Sequence, residues 1–115
     1  MLYVYPKKNM IAEAGRLYQW DYGQRLKISG VKLPESYIVH YSHSESGNAV
    51  SVNGDANGVN IPDDLLESGE SINGWVFVQE NETGKTEYRF RINVVKRPKP
   101  TEPRPEIIPA EGVEF

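Results

Sequence analysis

From Thr86 to Val94 the sequence reads T-E-Y-R-F-R-I-N-V, and polar and apolar residues alternate without a break. In an extended chain Tyr88, Phe90, Ile92 and Val94 share one face, while Glu87, Arg89, Arg91 and Asn93 share the other. A period of two belongs to a strand, because a helix would spread those four apolar side chains around its circumference. One dry face and one wet face point to an antiparallel sheet laid over a core.

Similar signals recur along the chain. "RLKISG" puts Leu26 and Ile28 opposite Arg25 and Lys27, and "SYIVHYS" puts Tyr37, Val39 and Tyr41 opposite Ile38 and His40. "GRLYQWD", "NAVSVNG" and "GWVFVQ" complete the set, and "ENETGK", with Gly84, suits a hairpin between the last two strands. Helical patterning is confined to "IPDDLLESGE", where Pro62, Asp63 and Asp64 suit a first turn and Gly69 ends it, so one short turn is expected. Roughly seven short strands between Gly, Asn, Asp and Pro turns predict an all-β domain, an immunoglobulin-like antiparallel β-sandwich over residues 1–96. An OB-like barrel is the alternative. The aromatic content places Trp75 or Phe77 in the core with Tyr88 and Phe90, because large aromatics dominate small cores.

The 115 residues suffice for one domain with a core of its own. The net charge of -3 argues against binding nucleic acid through its phosphates, which calls for a basic face. With no cysteine, disulfides and thiolate metal sites are excluded. No apolar run is long enough for a bilayer or a signal peptide, so the expectation is a soluble protein made in the cytosol, without a membrane partner.

Each candidate for chemistry meets a plainer reading. His40 and His43, with Glu45, lie three apart on a strand and so face opposite ways, which suits ordinary strand histidines better than a metal. "NGDANGVN" has calcium-like oxygen donors in Asn53, Asp55, Asn57 and Asn60, but not EF-hand spacing, and the same residues are what tight turns require. Asp63, Asp64, Glu67 and Glu70 form a polar, solvated segment without the burial that separates catalytic pKa values. "NET" at Asn81 matches a glycosylation triplet without other signs of that pathway. No nucleophile triad, phosphate loop or zinc signature is present, so the expectation is a protein that is not an enzyme and needs no cofactor. Tyr18, Trp20 and Tyr22 cluster at one turn, where exposed rings could stack on a host glycan as in a carbohydrate-binding module, the alternative function.

Residues 97–115 are different in kind. Pro98, Pro100, Pro103, Pro105 and Pro109 deny this stretch sheet interior and helix, and predict an extended polyproline arm. Arg97, Lys99 and Arg104 alternate with acidic residues, and Ile107, Ile108, Val113 and Phe115 add apolar anchors. Those seven residues are the expected partner-binding set, on a neighbouring subunit or another protein. A stiff arm loses less entropy on docking than a flexible one.

Five separated stretches also resemble a known module. "W-D-Y-G-Q" (Trp20 to Gln24), "L-P-E-S-Y-I-V-H-Y-S" (Leu33 to Ser42), "I-P-D-D-L-L-x-S-G" (Ile61 to Gly69), "G-K-T-E-Y-x-F-x-I-x-V" (Gly84 to Val94) and "R-P-K-P" (Arg97 to Pro100) span nearly the whole domain. Together they resemble the N-terminal module of virion structural proteins from tailed phages and prophages of Gram-positive bacteria. The resemblance implies a structural role as a head fibre or capsid accessory, or as a tail or baseplate fibre anchor. It also implies other virion proteins as partners, a homo-oligomer with a trimer favoured by the fibre analogy, and a location in the virion after assembly in the host cytoplasm. It implies no catalytic residues.

Overall fold

A computed structural model of the protein describes residues 1–101. Eight strands and one helical turn follow in order: β1 (Leu2–Val4), β2 (Ile11–Tyr18), β3 (Arg25–Ile28), β4 (Tyr37–Ser42), β5 (Val50–Asp55), β6 (Gly58–Asn60), α1 (Asp63–Leu66), β7 (Ile72–Glu80) and β8 (Thr83–Val95). The strands form a single mixed sheet in the order β1-β3-β6-β5-β4-β7-β8-β2. The sheet curls until its two end strands approach each other, giving a nearly barrel-shaped wall. At that seam Gly15 of β2, at φ 122°, leaves room for the Leu2 side chain of β1.

The all-β expectation holds, and the arrangement is one continuous wall. The five inner pairings are antiparallel. The two outermost, β1 with β3 and β2 with β8, are parallel, which departs from the antiparallel expectation. The cause is the path of the first eighteen residues. After β1 the chain crosses to the opposite end of the sheet, and β2 then runs alongside β8 from Arg89 to Val95.

The core lies inside the wall. Leu26, Ile28, Tyr37, Val39, Tyr41, Phe90, Ile92 and Val94 are buried, as alternation predicts, and Tyr88 packs against them half-buried. Leu66 of α1 closes one end. Trp75 and Phe77 correct the expectation, since both lie half-buried on the outer face. The inward positions of β7 belong to Ile72, Gly74 and Val76. Gly74 faces Phe90 across the β7–β8 ladder, and a methyl group on it would overlap the Phe90 ring. The same pairing of ring over glycine joins Tyr37 with Gly54 and Phe77 with Gly84.

Turn chemistry explains the connections. Asp55 Oδ1 accepts from the Asn57 amide at 2.8 Å, an Asx turn that makes the β5–β6 hairpin. The last hairpin turns at Asn81 and Glu82, with Asn81 left-handed at φ 56°. Gly84, expected in that loop, is a strand residue beneath Phe77. α1 is the single turn expected, begun by Pro62 with Asp63 and Asp64 in its first turn.

Candidate docking site at the root of the arm

The turn that follows β2 is built by Asp21. Its amide donates to the Tyr18 carbonyl at 3.1 Å, and its Oδ2 accepts from the Tyr18 amide at 2.9 Å. Trp20 is thereby held left-handed at φ 73°, a conformation that bulky side chains rarely adopt. Such an outlier persists only where neighbours over-determine it.

Those neighbours come from two distant segments. The Gln19 amide donates to the Val95 carbonyl at 2.8 Å, so β2 and β8 remain joined to the end of the sheet. The Gln19 side chain then binds both ways. Its Oε1 accepts from the Arg97 amide at 3.1 Å, and its Nε2 donates to the Glu67 carbonyl at 2.7 Å. Gly69, left-handed at φ 74°, is buried against Gln19 and Lys96, where a Cβ would come within 2.7 Å of Lys96 Cγ. Asp63 Oδ1 accepts from the Gly23 amide at 2.9 Å. Finally the Lys99 ammonium lies 5.0 Å from the centre of the Trp20 ring, a cation–π contact worth about 0.5–1 kcal/mol at an exposed site.

Three of the stretches singled out in the sequence therefore meet at one end of the wall: Trp20 to Gln24, Ile61 to Gly69 and Arg97 to Pro100. Arg97 and Lys99 of the expected partner-binding set are placed here, both exposed. Arg104, Ile107, Ile108, Val113 and Phe115 lie outside the described residues. The three aromatic candidates separate. Tyr18 and Tyr22 are exposed, whereas Trp20 is half-buried with Lys99 over its ring. Gln19 organises the junction and carried no signal of its own, since a glutamine at a strand end has no special pattern.

A second feature went unread in the sequence. On the outer sheet face His40, Trp75 and Arg89 occupy adjacent positions on β4, β7 and β8. The Arg89 guanidinium lies 5.1 Å from the Trp75 ring centre and pairs with Glu45 at 3.0 Å. His40 meets Phe77 edge-on at 5.4 Å, and its Nδ1 shares a 2.8 Å hydrogen bond with Ser51 Oγ. A shallow cleft of about 250 Å³ runs between Trp75, His40 and the Ser44–Gly47 loop. His43 is engaged elsewhere: its Nε2 donates to the Leu65 carbonyl at 2.7 Å and tethers α1 to β4. Among the described residues, no group of three or more His, Cys, Asp or Glu side chains is placed to hold a metal ion. No described helix is long and apolar enough to cross a membrane. No family model matches the chain, and neither does any curated protein.

Proposed function

We propose that this protein is a non-enzymatic structural component of a tailed-phage virion, docking other virion proteins through the arm that leaves its β domain. The observation that carries the reading is the junction at Gln19 and Trp20. The W-D-Y-G-Q turn and the R-P-K-P exit, two of the stretches behind the resemblance, touch through Trp20 and Lys99, and Gln19 next to that turn binds the Arg97 amide. A domain whose arm served only as slack would have little use for such an anchor. Here the first residues of the arm are aimed, and Pro98 and Pro100 restrict the backbone where it leaves the domain. Arg97, Lys99 and Arg104 supply charge along it, and Ile107, Ile108, Val113 and Phe115 supply apolar anchors.

We further propose an immunoglobulin-like arrangement of the strands within this wall. β3 pairs with β6, while β4 pairs with β7 and β7 with β8. We take these pairings as support for an immunoglobulin-like arrangement, with β3–β6 from one half and β4–β7–β8 from the other. β5, bonded to both β4 and β6, joins the halves into one wall.

Removing the residues after Pro100 from the full chain and measuring occupancy on purified particles tests the reading. Loss of incorporation by a still-folded domain is expected. Undiminished occupancy would show that the arm is not what docks. Binding of the intact protein to host surface polysaccharide, abolished by Tyr22→Ala, would instead favour the glycan reading built on Tyr18, Trp20 and Tyr22.

A further inference from the structure

Exposed apolar side chains are concentrated at one place. Of the eight large ones among the described residues, five are Met1, Tyr3, Tyr5, Met10 and Ile11. Because Leu2 and Val4 point inward, Met1, Tyr3 and Tyr5 share the outward face of β1 and its flanks. Two clefts open beside them. One, of about 420 Å³, lies between Asn9–Ile11 and Thr86–Arg89. The other, of about 260 Å³, is bounded by Tyr5, Lys7 and Met10–Glu13. They share Met10 and Ile11, so together they make one groove.

The floor of that groove is an open strand edge. β2 begins to pair with β8 only at Ile11 opposite Arg89. From Thr83 to Tyr88, β8 therefore has β7 on one side and, among the described residues, no strand on the other. An unpaired edge of this kind is a template for an added strand, with main-chain bonds giving affinity and alternate side chains giving specificity. The surrounding charge is mixed. Lys7, Lys8 and Lys85 lie around the edge, with Glu87 taking both Lys8 and Lys85 at 3.2 and 3.5 Å, and Glu13 and Glu80 lie beside them.

We propose that this edge receives residues 106–115, "EIIPAEGVEF", from a second copy of the chain. The inference rests on the arm-docking reading above and names its receptor. The segment carries Glu106, Glu111 and Glu114 to meet the lysines of the edge, no Lys or Arg, and apolar residues to cover Met10 and Ile11. Val113 and Phe115 are two apart, so in a strand both fall on one face and present a continuous apolar surface. A second copy is the occupant because the chain's own arm starts at the wrong end. Its root is fixed at Val95 and Arg97 against Gln19, six residues past Arg89 and so roughly 20 Å along the strand. From there, Pro98, Pro100, Pro103 and Pro105 favour an extended course over a reversal.

The absence of cysteine makes a clean test. Met10→Cys and Val113→Cys are made separately in the full-length protein, mixed in equal amounts and mildly oxidised. A mixed disulfide between residues 10 and 113 is expected roughly tenfold or more above a Val50→Cys control, because docking raises the local thiol concentration. Val50 is comparably exposed. A yield no higher than the control overturns the proposal. So does a doubly substituted chain that closes on itself at high dilution as readily as the mixture cross-links. If cross-linking fails while loss of the arm still removes the protein from particles, the arm docks on another virion protein. This inference then falls and the proposed function stands.

Discussion

Gly74 and Phe90 should behave as a single unit. Phe90 is 1% exposed, its ring lies over Gly74, and it meets Tyr41 edge-to-face at 6.1 Å. Replacing Phe90 with Ala removes a buried ring and leaves a cavity, at a cost of about 3–5 kcal/mol. Gly74→Ala drives a methyl into that ring from a strand hydrogen-bonded on both sides, so neither backbone can withdraw. Overpacking of that kind costs about 1–3 kcal/mol, offset in part by the lower chain entropy of Ala in the unfolded state. In the double variant the new methyl has no ring to meet and partly fills the vacated space. The double variant should therefore be no worse than Phe90→Ala alone, giving a favourable coupling of about 1–3 kcal/mol. Urea melts of all four proteins measure it. For a domain of this size each kcal/mol moves Tm by about 4–8 °C, so thermal melts serve as a second reading. Costs that add to within about 0.5 kcal/mol would show that Gly74 does not make room for Phe90.

Two further outcomes follow from buried and bridging groups. The Tyr41 hydroxyl is buried without a partner among the described residues, and burial pushes its pKa far above the ordinary 10.0. Tyr41→Phe should thus be neutral or stabilising by up to about 1–3 kcal/mol, whereas a clear loss in urea melts would mean the hydroxyl is satisfied. Because the folded state holds this proton more tightly, its contribution is intact below pH 10 and declines as pH rises from there through the folded pKa. The wild type should lose up to about 1.4 kcal/mol per pH unit on that account, and the Phe variant should lack that part of the slope. At the arm root, Gln19→Ala removes both the bond from the Arg97 amide and the bond to Glu67. Hydrogen exchange at Arg97 should quicken roughly fivefold to tenfold, and an unchanged rate would show that Gln19 does not hold the arm.

How much was legible follows from what alternation can and cannot encode. It places Leu26 and Ile28, Tyr37, Val39 and Tyr41, and Phe90, Ile92 and Val94, because each of these strands has a single plausible dry face. "INGWVFV" has two. Reading by size selects Trp75 and Phe77, whereas the wall selects Ile72, Gly74 and Val76, since a ring across the ladder needs the volume that a glycine leaves empty. β1 and β6, at three residues each, are too short for a period to show. The parallel pairing of β2 with β8 is a tertiary choice with no local signature. At the candidate site the Trp20 turn and the proline exit were each visible. Their meeting was not, because Gln19 and Arg97 stand 78 residues apart and nothing in either segment names the other.

One strand gives these observations a common logic. β8 runs from Thr83 to Val95, and β2 covers only its second half. The uncovered half is an open edge beside the groove that holds Met10 and Ile11, and the covered half ends where Gln19 fixes the first residue of the arm. The root of the arm and the near end of the open edge thus lie on the same rigid element, roughly 20 Å apart at the strand rise per residue. That separation matters for assembly. If arms pass from each copy to the next, the contact is heterologous, and a rotation that closes yields a ring while one that does not yields a filament. If two copies exchange arms reciprocally, the contact is a closed dimer. The trimer favoured by the fibre analogy is the ring case, so under this proposal the mass of the cross-linked assembly separates the two. A single substitution, Ile11→Glu, whose carboxylate would repel the acidic segment, should then act as a dominant terminator. It places a charge in the receptor groove and leaves the arm intact, so mixed assemblies should shorten in proportion to the variant added, with the variant's own fold unaffected at a position already exposed. Mixing that leaves assembly size unchanged would place the contact elsewhere on the molecule.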